Sequence, residues 1–486
     1  MADVEQKDTV IVGGGPGGYV AAIRASELGQ KVTLIDKGEP GLGGVCLNVG
    51  CVPSKALIAA GHRYQETLDS SIYGISKTDA KLDFTKTQEW KDHKVVDRMI
   101  RGVKMLLKKH KVEIIDGEAI LDNDHQLRVI KPGPKQFMDN DNGRTITWKN
   151  LILATGSRPV EIPHFKFEGR VIDSTGGLNL KEVPEELVVI GGGYIGTELA
   201  GAYADLGAHV TIIEGTDSIL GGFDHDMVDI VVKNLEKKGV DIVTKAMAKD
   251  SQQDENSVTV TYEVDGSEKS IKADYCMVSV GRKPNTDDFG LDMTNVKLND
   301  RHQVIVDEQG RTNVPGIWAI GDIVPGPALA HKAFFEAKTA AGAIAGKNTA
   351  NDWVGVPMVC FADPELAQVG MTVEEAKDKG IDVSTAQFPF AGNARAVSLD
   401  AAEGFIRLIY TKDKKNVIGA QGVGPGVSDL AGELSLIVNC GMNVEDVALT
   451  IHPHPTLNEP VQEAADIALG FPTCLLYTSP SPRDGL

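Results

Sequence analysis

Two closely spaced cysteines, Cys46 and Cys51, are the residues whose types and spacing point most directly to chemistry. A bridge between them would close a very small loop, and a small loop removes little conformational entropy from the unfolded chain. Stabilising the fold is therefore a poor reason for the pair. Reversible thiol–disulfide exchange is a better one, so we interpret the two cysteines as a redox centre.

The residues that follow the pair favour a thiolate at Cys51. Pro53 suits the first turn of a helix, with Cys51 just before it. The positive end of that helix and the nearby Lys55 would both stabilise a negative charge on the sulfur. Buried bystander thiols and a metal site are the alternatives. A metal site needs further cysteine or histidine ligands at compatible spacing, and none lie nearby in the sequence, so we predict no metal.

Two glycine-rich segments have the pattern Gly-x-Gly-x-x-Gly between an apolar strand and a helix. Glycines let the turn close and let the backbone approach a pyrophosphate, which the free N–H groups of the helix can bind. An acidic residue at the end of the next strand can bind a ribose diol. The residues are Gly13, Gly15, Gly18 and Asp36 in the first copy, and Gly191, Gly193, Gly196 and Glu214 in the second. Two such copies predict two dinucleotide sites.

Glu214 also bears on which nicotinamide cofactor binds. Its carboxylate would repel a 2′-phosphate, and the next residues, Gly215, Thr216 and Asp217, include no arginine to accept one. The sequence therefore favours NAD over NADP.

The elements that hold these residues follow a strand–helix–strand order that occurs twice. The segments are 9–15, 17–29 and 31–36 in the first unit, and 187–193, 196–206 and 209–214 in the second. Elsewhere we predict a helix over 85–111, a hairpin loop over 131–146 and an exposed turn over 250–257. Strands and helices alternate over 354–470, which indicates a third, mixed domain. The predicted class is α/β, with two Rossmann-like dinucleotide-binding domains and a C-terminal α+β domain.

Composition excludes several classes of function. The 486 residues are 42% hydrophobic and 24% charged, as in globular proteins of several domains. The formal net charge of −19 disfavours nucleic acid and anionic membranes as partners. No apolar run reaches the roughly 18 residues of a membrane span, and the polar N-terminus resembles no signal peptide. We therefore predict a cytoplasmic protein.

The remaining cysteines are sparse. Cys276, Cys360 and Cys440 lie in or beside apolar stretches, so we predict that they are inert core residues. Cys474 belongs to a C-terminal stretch, 474–486, whose composition predicts disorder or a non-native origin. We assign that stretch no function.

The chain resembles the flavin-dependent pyridine nucleotide–disulfide oxidoreductases, and within them the enzymes that oxidise dihydrolipoyl groups. The resemblance runs from about residue 7 to 473. Beside the two fingerprints, it depends on the segments 43–55, 154–159, 280–285, 316–322, 328–331 and 452–459.

The resemblance implies two cofactors, FAD and NAD. The positions that it assigns to FAD are Gly13, Gly15, Gly18, Asp36, Lys37, Lys55, Ala119, Thr155, Gly156, Ser157, Asp322, Ala328, Leu329, Ala330 and His331. The positions that it assigns to NAD are Gly191, Gly193, Gly196, Glu198, Glu214 and Gly281.

The resemblance also divides the catalytic roles. It implies that Cys51 faces the flavin and Cys46 the dithiol substrate. Lys55 would pair with Glu198 near the flavin. A base from the far end of the chain would be His454, and a carboxylate at Glu459 would fix its tautomer and raise its basicity. The neighbouring histidine, His452, is expected to be structural.

In this family the base reaches the disulfide of the other subunit, so the resemblance implies a homodimer with shared active sites. The implied domains are an FAD-binding domain over 1–155, an NAD-binding domain over 156–280, a second part of the FAD-binding and central region over 281–346, and a dimerisation domain over 347–473.

The implied partners are lipoyl domains of the acyltransferase components of 2-oxoacid dehydrogenase complexes, with a glycine cleavage system as another setting. Two alternatives remain: another disulfide reductase of the family, similar to glutathione reductase, or a subunit that chiefly serves as a scaffold in such a complex.

Overall fold

The structure is a computed structural model that describes residues 4–131 and 141–471. Its N-terminal part is a sheet with α-helices packed on one face and with strands and loops packed on the other. The elements are β1 (Val4–Val12), α1 (Pro16–Glu27), β2 (Val32–Asp36), α2 (Gly44–Val49), α3 (Cys51–Leu68), α4 (Phe84–Glu89), α5 (Asp97–Lys109), β3 (Glu113–Asp116), β4 (Glu118–Asn123), β5 (Gln126–Ile130) and β6 (Asp141–Leu153). The strand order is β3-β2-β1-β6-β5-β4, with β1, β2, β3 and β6 parallel to one another.

Burial explains why β1 and β2 are continuous apolar runs rather than alternating ones. Val10 and Val12 belong to the core on one face of the sheet, whereas Ile11 belongs to the core on the other face. Strands that are covered on both faces need apolar side chains at successive positions. The parallel arrangement brings the carboxyl ends of β1 and β2 to one edge, where the first glycine-rich loop lies.

The middle of the chain repeats this architecture. The elements are β7 (Ser157–Pro159), β8 (Val171–Ile172), α6 (Ser174–Leu178), β9 (Glu186–Ile190), α7 (Tyr194–Leu206), β10 (His209–Ile213), α8 (His225–Lys237), β11 (Val240–Val243), β12 (Ala246–Gln253), β13 (Val258–Val264), β14 (Ser267–Ala273), β15 (Tyr275–Val278) and β16 (Arg282–Pro284). A parallel sheet has the order β11-β10-β9-β15-β8, and β12-β13-β14 form a separate antiparallel sheet. The entering strand β7 pairs with the leaving strand β16, so the chain enters and leaves this unit at one place.

After that crossing the chain returns to the first sheet. Strand β17 (Ile317–Ala319) pairs in parallel with β6, and α9 (Ala330–Ile344) packs against α1. The first sheet is therefore completed by residues from distant parts of the sequence.

The C-terminal part is a five-stranded antiparallel sheet with helices. Its elements are β18 (Met358–Cys360), β19 (Glu365–Gly370), α10 (Val373–Asp378), β20 (Val383–Pro389), α11 (Ala394–Ser398), β21 (Phe405–Thr411), β22 (Val417–Gly424), α12 (Val427–Asn439), α13 (Val444–Ala448) and α14 (Glu459–Leu469). The order is β18-β19-β22-β21-β20. The predicted α/β class with an α+β C-terminal domain is confirmed.

The predictions of individual elements and of cysteine burial were only partly correct. The helix predicted over 85–111 is interrupted by a π-helical turn, Trp90–Val96. The turn predicted over 250–257 is shorter, because β12 continues to Gln253. Most of the hairpin loop predicted over 131–146 lies outside the described residues, as does the stretch 474–486. Cys276 and Cys360 are buried as predicted, but Cys440 is exposed, so that prediction was wrong. It lies at the C-terminal cap of α12, past the buried face of the helix.

One helical stretch in the described residues, Gly44–Leu68, passes a length and composition test for a membrane span. It comprises α2 and α3, which are separated by a bend at Gly50. Since α3 packs against α7, and core helices of soluble proteins pass the same test, this is weak evidence for a membrane segment.

Candidate active site

The two cysteines meet at a bend between two helices. Cys46 lies in α2, Gly50 breaks the helix with φ −148° and ψ −115°, and Cys51 is the first residue of α3. Pro53 lies in the first turn of α3, as predicted, although the helix begins at Cys51 itself rather than after it. The bend places the two sulfurs within hydrogen-bonding reach of each other.

This arrangement favours a single thiolate in the pair, at Cys51. A hydrogen bond from the Cys46 thiol lowers the pKa of Cys51 to about 7, and the positive charge of Lys55 adds to that effect. The same hydrogen bond raises the pKa of Cys46, because its proton is held by the Cys51 thiolate, and burial acts in the same direction. Cys51 is therefore the better leaving group of the two when a disulfide between them is opened.

An ion pair beside the cysteines joins three parts of the chain. Lys55 Nζ lies 2.7 Å from Glu198 Oε2, and the Glu198 side chain is only 4% exposed. The backbone N–H of Phe361 donates to Glu198 Oε1 at 3.0 Å, and Lys55 Nζ lies 4.4 Å from the centroid of the Phe361 ring. The lysine from α3, the glutamate from α7 and the C-terminal sheet thus hold one another in place. This keeps a cation next to Cys51.

The first glycine-rich turn forms a cradle at the start of α1. Gly13 has a left-handed φ of +102°, and a Cβ on Gly18 would overlap Gly13 O. Asp36 accepts a hydrogen bond from Gly14 N at 2.7 Å and another from Gly38 N at 2.9 Å. The free N–H groups of α1 and the carboxylate of Asp36 fit the pyrophosphate and ribose of a dinucleotide.

The second turn reproduces this geometry at the start of α7. Gly191 has a φ of +99°, and a Cβ on Gly196 would overlap Gly191 O. Glu214 accepts from Gly192 N at 2.7 Å and from Thr216 N at 2.8 Å. Among the described residues, apart from its chain neighbours and the backbone of its own helix, no atom lies within 4 Å of a Cβ added to Gly193. The residues present therefore fit a second dinucleotide.

A hydrogen-bond relay connects the two crossing segments to the predicted flavin contact Asp322. Ser157 Oγ donates to Asp322 Oδ2 at 2.6 Å and accepts from Arg282 Nε at 2.7 Å. Thr155 Oγ1 donates to Asn285 O at 2.6 Å. These contacts join β7, β16 and the turn after β17. They hold the Asp322 carboxylate at the same sheet edge as the first cradle.

The remaining predicted cofactor positions vary in their surroundings. Lys37 is exposed, whereas Ala119 is buried in the core beneath the first sheet. Ala328, Leu329 and Ala330 lead into α9, with Leu329 as its N-cap. His331 is exposed, and its Nε2 lies 2.7 Å from Pro357 O. Gly156 and Gly281 both have positive φ values, of +72° and +141°, at the two crossings.

The predicted base and its carboxylate are brought together. His454 Nδ1 lies 2.7 Å from Glu459 Oε1, and Glu459 Oε2 accepts from Thr456 N at 2.8 Å. The His454 side chain is 72% exposed. Its neighbour His452 is only 4% exposed and lies 2.7 Å from Glu433 Oε1. Within the described part of one chain, no hydrogen bond or ion pair joins His454 to either cysteine.

Sequence reasoning missed the roles of Phe361 and Arg282. Arg282 stands in a segment that was singled out, so its position was a usable signal. Phe361 acts through its backbone N–H and the face of its ring, and no sequence pattern marks such a contact.

Comparison with known proteins gives a consistent result. The family model described as pyridine nucleotide-disulphide oxidoreductase matches residues 7–337, and the model of that family's dimerisation domain matches residues 356–465. A dihydrolipoyl dehydrogenase from Geobacillus stearothermophilus is 54% identical over 467 residues, which are 96% of this chain and 97% of that protein. A dihydrolipoyl dehydrogenase from Bacillus subtilis is 53% identical over 468 residues, with the same coverage.

A solved structure agrees with the sequence relatives. LpdA from Mycobacterium tuberculosis has a TM-score of 0.87 at 26% identity, and the match covers 95% of this chain and 99% of that one. The similarity therefore extends over all three parts of the fold.

Proposed function

Because the chain belongs to the pyridine nucleotide-disulphide oxidoreductase family, we propose that it oxidises dihydrolipoyl groups, with NAD⁺ as acceptor and FAD as resident cofactor. The observation that carries the chemistry is the hydrogen-bonded pair of Cys46 and Cys51 beside the ion pair of Lys55 and Glu198. A dithiol and a cation at a helix start are what reversible disulfide exchange requires.

The two glycine-rich cradles are assigned to the two cofactors. The first, with Asp36, Ser157 and Asp322, would hold FAD, and the second, with Glu214, would hold NAD. Bound FAD supplies the electron transfer between the dithiol and the nicotinamide. The protein supplies position and charge, which here come from the N–H groups of α1 and α7 and from the carboxylates.

The exchange itself uses residues of this chain. In the oxidised protein Cys46 and Cys51 form a disulfide. A dihydrolipoyl thiolate attacks the sulfur of Cys46, so that a mixed disulfide forms and Cys51 leaves as a thiolate beside Lys55. The second thiolate of the substrate then attacks the substrate sulfur that is bonded to Cys46 in the mixed disulfide. This releases the cyclic lipoyl disulfide and the thiolate of Cys46. The substrate loses two electrons and the cysteine pair gains them.

Two protons must leave the substrate thiols during this exchange. His454 is the base, and Glu459 holds its Nδ1, which leaves Nε2 free to accept a proton. His454 is exposed and makes no hydrogen bond or ion pair with the cysteines within the described part of one chain. A second subunit that brings its own His454 to Cys46 would complete the site, and the dimerisation domain over 356–465 supports such a homodimer.

The substrate group is proposed to arrive on lipoyl domains of 2-oxoacid dehydrogenase complexes or of a glycine cleavage system, in the cytoplasm. The relatives' names support the chemical group.

The decisive experiment is a substrate panel with the purified yellow protein. Dihydrolipoamide with NAD⁺ should give rapid turnover, whereas glutathione disulfide with NADPH should give little. Turnover with glutathione disulfide at a comparable rate would contradict the proposal and favour a glutathione reductase-like enzyme. Flavin-free protein would contradict the cofactor assignment, and absence of turnover with flavin bound would favour a scaffold.

A further inference from the structure

A buried ion pair lies on α9, outside the residues assigned to catalysis. Lys332 Nζ is 2.8 Å from Glu336 Oε1, and the two side chains are 1% and 3% exposed. The spacing of i and i+4 places them one above the other on one face of the helix. Burying two charges is costly, and apolar residues of similar volume often stabilise a fold equally well. A buried pair of this kind therefore calls for a reason other than stability.

The pair contacts both polar backbone groups of one residue, Gly321. Gly321 N donates to Glu336 Oε2 at 2.6 Å, and Lys332 Nζ donates to Gly321 O at 3.1 Å. Gly321 has a left-handed φ of +79° and begins the short turn Gly321–Ile323 that contains Asp322. Two charged contacts on one peptide residue fix both the position and the rotation of this turn.

The fixed turn leads directly to the first cradle. Asp322 accepts the hydrogen bond of Ser157, so the turn is held at the backbone of Gly321 and at the carboxylate of Asp322. Between the charged residues of α9, Ala333 lies against the other side of the cradle. A Cβ added to Gly17, at the start of α1, would lie 3.6 Å from the Cβ of Ala333. One face of α9 therefore contacts both the start of α1 and the turn of Asp322.

The lysine stem extends this contact along the following loop. A Cβ on Gly326, whose φ is +109°, would come within 2.7 Å of Lys332 Cε. The loop after Gly326 carries Ala328 and Leu329, which are proposed to face the cofactor. Lys332 thus contacts the segment at Gly321, where the turn begins, and again at Gly326.

We propose that Lys332 and Glu336 are positioning residues for the flavin: they hold the Gly321–Asp322 turn and the loop that follows it in the geometry that binds FAD. The inference rests on the proposed FAD site. It assigns no proton or electron transfer to the pair, which acts through Gly321 and Asp322.

The test compares two double variants that both remove the charges. In K332M/E336M, Gly321 N–H and C=O both lose their partners. In K332M/E336Q, the amide oxygen of the glutamine can still accept from Gly321 N. Retention of FAD is measured on the purified holoenzyme by the fluorescence of flavin released on dilution, together with the visible absorption spectrum of the bound flavin.

K332M/E336M should release FAD with a dissociation constant on the order of tenfold higher than that of the unsubstituted protein, which corresponds to about 1.4 kcal/mol. K332M/E336Q should show a smaller rise. The control is K91M, because Lys91 is also 1% exposed and also donates to a backbone carbonyl, Leu178 O at 2.7 Å, but contacts nothing in the FAD turn. K91M should lower thermal stability without increasing release of FAD.

Each outcome supports or contradicts the positioning role of Lys332 and Glu336. Unchanged FAD retention and an unchanged flavin spectrum in K332M/E336M would overturn the inference, as would equal loss of FAD from K91M, which would indicate a general loss of stability. If K332M/E336M does not fold, FAD retention and the flavin spectrum of K332M/E336Q are compared with those of K91M, and the same criteria apply. An unsubstituted protein that holds no FAD would instead contradict the proposed function.

Discussion

The two glycine-rich cradles are nearly identical in their local geometry. In each, an acidic side chain accepts from the middle glycine at 2.7 Å: Asp36 from Gly14 and Glu214 from Gly192. In each, the carbonyl of that glycine accepts a backbone hydrogen bond of 2.8 Å, from Gly43 in the first and from Leu220 in the second. The fingerprint thus determines the same structure twice.

The segments that follow differ. After Gly43 the chain turns back over the first cradle. A Cβ on Gly15 would lie 3.7 Å from Cα of Gly44, the first residue of the helix that carries Cys46. The second cradle has open space at the equivalent glycine, Gly193. A covered cradle suits a cofactor that stays bound, and an open one suits a cosubstrate that exchanges. The two cradles therefore share the geometry of the fingerprint and differ in the chain that flanks it.

The largest effect should come from the redox pair, which follows the segment that covers the first cradle. Replacing Cys51 with serine removes the leaving thiolate, so turnover of dihydrolipoamide should fall by on the order of a thousandfold or more. FAD should stay bound, because Asp36 and Asp322 are untouched, and visible absorption measures this. The matched control is C440S, since Cys440 is exposed but distant in the fold. Normal turnover by C51S would remove Cys51 from the mechanism.

Each cradle can be disrupted separately by a glycine-to-alanine substitution, which adds one methyl group to the turn. G18A and G196A both place a Cβ onto the carbonyl of the first glycine of their own turn. G196A should stay yellow while KM for NAD⁺ rises by on the order of a hundredfold, or about 2.7 kcal/mol. G18A should lose FAD. The control is G201A on α7, where a Cβ meets only Leu235 at 3.5 Å. Loss of FAD from G196A would contradict the assignment of the two cradles.

Removing the acidic residue of the open cradle should have a smaller effect. E214A loses hydrogen bonds to a charged acceptor, each worth roughly 1.5–3 kcal/mol, and loses the repulsion of a 2′-phosphate. The preference for NAD⁺ over NADP⁺ should therefore fall by about tenfold or more, as measured by the ratio of kcat/KM values. D36A serves as comparison and should weaken FAD retention with an unchanged preference. An unchanged preference in E214A would refute the role given to this residue.

The smallest effect concerns the charge beside Cys51. The pKa of Cys51 is lowered to about 7, so its thiolate is present above that pH and is lost as the pH falls through it. K55M removes one cause of the lowering and should move this midpoint upward by about one pH unit, or about 1.4 kcal/mol. The ultraviolet absorption of the thiolate in the reduced enzyme measures the midpoint. C46A, which removes the largest cause, the hydrogen bond from the Cys46 thiol, should move it further. The reverse order would contradict the assigned causes.

Features that depend on short sequence spacing were predictable from the sequence. The glycines, their acidic partners and the cysteine pair each act within one turn or one strand–helix–strand unit, where residue type and spacing determine geometry. His454 and Glu459 lie in one short segment, but their roles were expected from the family resemblance. The two βα units and the mixed C-terminal part were equally predictable, since short apolar runs mark buried strands and helical spacing of apolar residues marks helices.

Features that join distant segments were decided by the tertiary structure. The pairing of Lys55 with Glu198 was expected from the family resemblance alone, and Phe361, which holds that pair, was not expected at all. Lys332 and Glu336 would be an ordinary helical ion pair in the sequence, and only packing shows that they enclose Gly321. The exposure of Cys440 depended on where α12 ends. These contacts depend on which helices pack together, and no local period of the sequence records that.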